Sequence, residues 1–149
     1  MKFIQNTSDI LSALGIAGKH RSPIKDFCID SRKAKQHSVF IGLTGSNEDG
    51  SKYCDDAFSN GAVFAIIKAK KDMNANKLKD NTLGVSNPEK ALAKLAQVTL
   101  KNFTGPVIGI TGSNGKTTTK NILSAGIKNS FSTFKNFNNE IGLPLCALM

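Results

Sequence analysis

The run from Val107 to Lys120, VIGITGSNGKTTTK, constrains this chain more than any other feature. An apolar stretch, a small polar segment bounded by Gly112 and Gly115, and a following segment with apolar residues at helical spacing predict three elements in succession. They are a strand over 107–110, a loop over 111–115, and a helix over 116–128 with Ile122, Leu123 and Ile127 facing inward. The first N–H groups of such a helix have no partner within it, its dipole favours negative charge, and glycines let a phosphate approach the backbone closely. Thr111, Gly112, Ser113, Asn114, Gly115, Lys116, Thr117 and Thr118 are therefore candidate nucleotide contacts. Lys116 is the candidate catalytic cation for the β- and γ-phosphates, and the Thr117 hydroxyl is the candidate Mg²⁺ ligand. The bland alternative is a glycine-rich turn with a solvated lysine, which the strand and helix on either side make less attractive. One departure stands out: where such loops usually open with glycine, this chain has Ile110.

The preceding residues predict a smaller α/β unit. Thr7-Ser8-Asp9 followed by Ile10-Leu11 and stopped by Gly15 predicts a short capped helix. Strands are expected at 27–29, 38–43, 62–67 and 82–85, with a helical face of Tyr53, Ala57 and Phe58 between the second and third. This order implies at least some parallel pairing. Residues 68–81 are polar and lysine-rich and read as a surface excursion. Ser86-Asn87-Pro88-Glu89 has capping-box spacing with an early proline, and Leu92, Leu95, Ala96, Thr99, Leu100 and Phe103 then recur at helical intervals. The division expected is a first domain over 1–86, then a linker helix and the start of a second domain over 87–149.

Composition narrows the class without choosing the ligand. The chain has no apolar segment of membrane-span length and no signal-peptide pattern, so a cytoplasmic protein is expected. Cys28, Cys54 and Cys146 are widely spaced, with only His20 and His37 beside them, which suits buried thiols better than a zinc site or disulfide framework. No histidine lies near Cys146 in sequence to make it a nucleophile. The net charge of +9 suits an anionic partner. The lysines are dispersed, however, and no aromatic residues interleave with clusters such as Arg32-Lys33-Ala34-Lys35, so nucleic acid ranks last among the partners.

Two further groups of residues sharpen the reading. The loop TGSNGKT resembles the threonine-opened phosphate loop of the Mur ligases and their folylpolyglutamate synthetase relatives. Asn136-Phe137-Asn138-Asn139-Glu140-Ile141-Gly142-Leu143-Pro144 is similar to the asparagine segment of the family's MurF type. Asp30-Ser31-Arg32, the stretch Val39-Phe40-Ile41-Gly42-Leu43-Thr44-Gly45, and Asp49-Gly50 with Tyr53 are similar to signatures of the domain that binds the UDP part of the precursor in the MurE and MurF types. Lys135 departs from the pattern, standing where glycine usually precedes the asparagines, and Gln36-His37 replaces a Pro-Gly turn.

The resemblance implies an α/β fold made of a small substrate domain and the opening of a P-loop parallel-sheet domain. It implies ATP and Mg²⁺ as cofactors, with UDP-N-acetylmuramoyl-tripeptide and D-Ala-D-Ala joined through an acyl phosphate. Asp30, Ser31, Arg32, Thr44, Gly45, Asn138 and Asn139 become candidate substrate contacts. On the residues alone, Asp30 and Arg32 could equally pair with each other across a turn, and tandem asparagines are ordinary turn residues. The chain ends at Met149, about 30 residues past Thr117 and roughly one βαβ unit. The expectation is an incomplete ligase without turnover of its own. A MurE-type ligase and a non-catalytic UDP-sugar-binding module are the alternatives.

Overall fold

The computed structural model describes residues 4–45, 48–69, 77–134, 137 and 139–149. Its centre is a five-stranded sheet in the order β1-β2-β3-β5-β4, comprising Asp26–Cys28, Ser38–Gly42, Ala62–Lys68, Thr82–Val85 and Lys77–Lys79 for β1, β2, β3, β5 and β4. β1, β2, β3 and β5 run parallel, and β4 alone is antiparallel, paired with β5. The chain is thus mixed α/β with a mostly parallel sheet. The lysine-rich excursion contains a strand that the sequence did not suggest: Leu78 pairs with Leu83, between lysines that point to solvent.

Alternation along the central strands divides the core between two faces. Val39 and Ile41 of β2 and Phe64 and Ile66 of β3 lie on one face with Leu83, while Phe40, Ala65 and Ile67 lie on the other. A bulge in which Ser38 pairs with Ala62 but Val39 with Phe64 adds one residue to β3 and resets its alternation. The first face is covered by helices α1 (Thr7–Leu14) and α3 (Pro88–Lys101), with α5 (Gly142–Leu148) packed on α3 and β1. The second is covered by α2 (Cys54–Ser59) and flanking 3-10 turns.

The helix termini follow from their capping residues. In α1, the Asn6 side chain accepts from the Ser8 amide while Asp9 accepts from the Asn6 amide, and Gly15 closes the helix at φ 71°. α3 has Asn87 as its N-cap, accepting from the Lys90 amide at 2.7 Å, with Pro88 in the first turn. The expected Ser86–Glu89 capping box is therefore corrected by one position, because the asparagine adjoining the proline takes the cap. Ala91, Leu92, Leu95 and Ala96 form the buried face of α3, but Leu100 and Phe103 remain 44% and 47% exposed.

The segment after Gly105 differs most from expectation. Residues 107–110 form no strand, and Val107 and Ile108 are 67% and 54% exposed. An apolar sequence becomes a strand only when a neighbour supplies backbone partners, and among the described residues none pairs with it. The helix that follows, α4 (Lys116–Gly126), forms as predicted yet buries no residue. Ile122 and Ile127 are 66% and 42% exposed, and Leu123 is half-buried, rather than all facing a core. Cys28 and Cys146 are buried thiols as expected, whereas Cys54 is only half-buried.

Candidate functional site

Because β1, β2, β3 and β5 are parallel, their C-terminal ends share one edge, where open α/β sheets place ligands. The turn Asp30-Ser31-Arg32 follows β1, the Thr44–Gly45 loop follows β2, and the N-terminus of α3 follows β5. The fold thus brings the first five candidate substrate residues to one edge.

The Asp30 turn is built as a 3-10 helix over Ser31–Lys33. Its cap is the Asp30 carboxylate, which accepts from the Arg32 amide at 3.1 Å. The same carboxylate takes the Arg32 side chain in a two-point pair, Nε to Oδ1 and Nη2 to Oδ2, both 2.9 Å. The internal pairing left open by the sequence is therefore present, while the Arg32 side chain is 86% exposed. Hydrogen bonding from Arg32 holds the Asp30 carboxyl below the usual range, and the reciprocal bond raises Arg32. Ser31 is buried, and its carbonyl accepts from Asn60 Nδ2 at 3.1 Å, which anchors the turn to the end of α2.

The loop after β2 is closed at its base and tied at both sides. Gly50 N–H donates to Leu43 O at 2.9 Å, Thr44 and Asp49 form a bridge, and Gly45 N–H donates to Glu48 O at 2.8 Å. Gly50 has to be glycine here, since a Cβ would lie 2.5 Å from Leu43 O. Tyr53 Oη donates to Glu48 Oε2 at 2.8 Å, and that bond to an anionic neighbour raises the phenol above its ordinary pKa, opposed only weakly by nearby Arg32. Across the loop, Thr44 N–H donates to Glu89 Oε1 at 2.7 Å. Sequence reasoning assigned Glu89 to a helix cap and gave Glu48 no role. Glu48, inside the loop bounded by Gly45 and Gly50, was the one available signal, whereas Glu89 lies 45 positions from Thr44.

The glycine loop lies at the start of α4. Gly112 and Gly115 have φ 149° and 79°, values that disfavour any residue with a Cβ. Gly115 occupies the N-cap position and supplies no side chain, so the first-turn N–H groups of an eleven-residue helix carry no side-chain cap. Thr111 to Thr118 are all exposed. The Lys116 ammonium folds back on its own loop, donating to Gly112 O and to Ser113 O, the latter at 3.3 Å. Lys120 Nζ ties the helix to Thr133 O at 2.7 Å. Among the described residues no cluster of three or more His, Cys, Asp or Glu could hold a metal, and no helix is long and apolar enough to cross a membrane.

Of the asparagine pair, Asn138 lies outside the described residues. Asn139 Oδ1 accepts from the Gly142 and Ile141 amides at 2.7 and 3.2 Å and so forms the turn that begins α5. Gly142 packs directly on Phe137, where a Cβ would lie 2.5 Å from the Phe137 Cα.

Residues 23–99, just over half of the chain, match the Mur ligase family, catalytic domain. The chain belongs to this family. Residues 110–149, carrying the glycine loop, match the Mur ligase middle domain. Among relatives, the UDP-N-acetylmuramoyl-tripeptide–D-alanyl-D-alanine ligase of Bacillus subtilis is 39% identical over 126 residues, covering 80% of this chain and 26% of the relative. The ligase of the same name from Buchnera aphidicola is 35% identical over 151 residues, covering 99% of this chain and 32% of its own length. The crystal structure of a MurF ligase from Thermotoga maritima in complex with ADP superposes with a TM-score of 0.68 at 39% identity, covering 83% of this chain and 29% of that one. This Mur ligase chain thus spans only a quarter to a third of the length of these relatives.

Proposed function

We propose that this chain carries the UDP-precursor-binding unit and the opening of the ATP-binding unit of a ligase that joins D-Ala-D-Ala to UDP-N-acetylmuramoyl-tripeptide. The observation that supports it most is the meeting of Asp30-Ser31-Arg32 and Thr44-Gly45 at the C-terminal edge of the parallel strands, in a chain whose Gly-Lys-Thr loop opens α4. Residues 1–86 serve the precursor. Residues 87–149 serve the nucleotide, with α3 as a connecting helix packed on the first unit.

The glycine loop fits a nucleotide phosphate chain: its glycines remove side-chain bulk, the uncapped first turn of α4 offers N–H donors, and Lys116 supplies a cation. Lys116 has to leave Gly112 O and Ser113 O, at least in part, to reach a phosphate. Mg²⁺ would rest on the exposed Thr117 hydroxyl and the nucleotide's own phosphates. ATP, when bound, supplies the γ-phosphate that activates the tripeptide carboxylate as an acyl phosphate for attack by the D-Ala-D-Ala amine. The chain's own contribution is positioning and charge neutralisation: Arg32 offers a cation at the precursor edge, Ser31 and the Thr44-Gly45 backbone offer uncharged polar groups, and Asn138 and Asn139 offer neutral donors and acceptors for the substrate. A cytoplasmic setting goes with these substrates, and recovery in a salt-washed membrane pellet would contradict it.

The nucleotide half is tested by titrating the chain with Mg-ATP in a calorimeter, alongside Lys116→Ala. Saturable binding that weakens at least tenfold in the variant supports the assignment of Lys116. Binding that is unchanged in Lys116→Ala removes it.

A further inference from the structure

Building on the reading of the sheet edge as the precursor site, we infer that Glu89 is a positioning residue for that site, acting through the Thr44 amide. The two groups are 45 positions apart in sequence, yet Glu89 Oε1 accepts the Thr44 N–H at 2.7 Å, the short distance of a charge-assisted bond. Glu89 is not needed to cap its own helix, because Asn87 does so through the Lys90 amide. It sits in the first turn of α3, where the helix dipole favours a carboxylate. Leu92 and Leu95 of the same helix are fully buried, so the carboxylate projects from an element fixed in the core.

The contact gives the loop a reference point outside itself. The far side of the loop is held by Glu48, through the Gly45 amide and the Tyr53 hydroxyl, which are bonds between near neighbours. Glu89 ties the near side to a helix built from a different part of the chain. With its N–H committed to Glu89, Thr44 has its backbone positioned before a ligand arrives, which lowers the ordering cost of binding.

The test compares the 149-residue chain with Glu89→Ala, which removes the acceptor, and Glu89→Gln, which retains a side-chain oxygen. Thr44 amide exchange is followed by NMR, and UDP-N-acetylmuramoyl-tripeptide and Mg-ATP are titrated separately by calorimetry. Glu89→Ala is expected to exchange the Thr44 amide about tenfold faster and to bind the precursor about tenfold more weakly, with ATP binding unchanged. Glu89→Gln is expected to restore both to within about threefold. Exchange that does not respond, or a Glu89→Ala chain that binds the precursor as tightly as wild type, overturns the role of Glu89 and leaves the precursor site standing. A wild-type chain that fails to bind the precursor overturns the site itself, and the role of Glu89 with it, even when the Thr44 exchange responds.

Discussion

Arg32 closes on Asp30, two positions earlier, through two hydrogen bonds of 2.9 Å, and the Asp30 carboxylate also accepts the Arg32 amide. One carboxylate thereby shapes the turn and holds the exposed guanidinium against it.

This geometry sets the titration of Asp30. Its folded pKa is depressed by the Arg32 bond, so the pairing is complete above the ordinary carboxylate range, about pH 4, and is lost as the pH falls through the lower folded value. A carboxyl-carbon NMR titration is expected to show Asp30 with a midpoint below that of an unpaired aspartate, and Arg32→Ala to move it upward. A midpoint that ignores the substitution would contradict the pairing.

Tyr53 offers an unusually clean probe of the neighbouring loop, since the chain has one tyrosine and no tryptophan. Its hydroxyl donates to Glu48, and ionisation would lose that bond and set two anions together. Absorbance titration is expected to give an inflection above the ordinary value of about 10, and Glu48→Gln to lower it. A wild-type inflection at or below 10 would show that the bond does not persist in solution.

The thiols should react unequally. Burial, aided by Asp26 and Asp30, pushes the Cys28 thiol up to about 12, so it stays protonated at neutral pH, and Cys146 is buried. Half-buried Cys54 is expected to supply the first thiol modified by a disulfide reagent under native conditions. Cys54→Ser should remove that phase, and its survival in the variant would contradict the assignment.

Leu95 joins α3 to the sheet core and is fully buried. Leu95→Ala is expected to destabilise the packing of α3 on the sheet by about 2–5 kcal/mol in denaturant unfolding. Leu100→Ala, at a 44% exposed position on the same helix, should cost well under half as much. Similar costs for the two would show that α3 is not docked as described.

Much of the fold was legible wherever a residue's partners lie close in sequence or its burial follows a simple period. β2, β3 and β5, the helix stopped by Gly15 and the glycine loop before α4 could be read from alternation and capping chemistry. What failed depended on partners that local pattern does not specify. Among the described residues, 107–110 have strand composition but no strand pairs with them, and Ile122 and Ile127 have helical spacing yet stay 66% and 42% exposed. β4 was hidden because its lysines face solvent and only Leu78 signals the pairing. At the candidate site, the residue types at the sheet edge were readable. The Thr44–Glu89 bond was not, because the Ser86–Glu89 spacing suggests a cap and the true partner lies 45 positions away.

The central claim is that the edge carrying Arg32 and Thr44 binds the UDP-linked precursor, and calorimetric titration of the wild-type and Arg32→Ala chains with UDP-N-acetylmuramoyl-tripeptide tests it most directly. Saturable binding by the wild type, weakened about tenfold or more in Arg32→Ala with no loss of folded structure, is the predicted result. Absence of binding by the wild type, or equal affinity in the two chains, would contradict it.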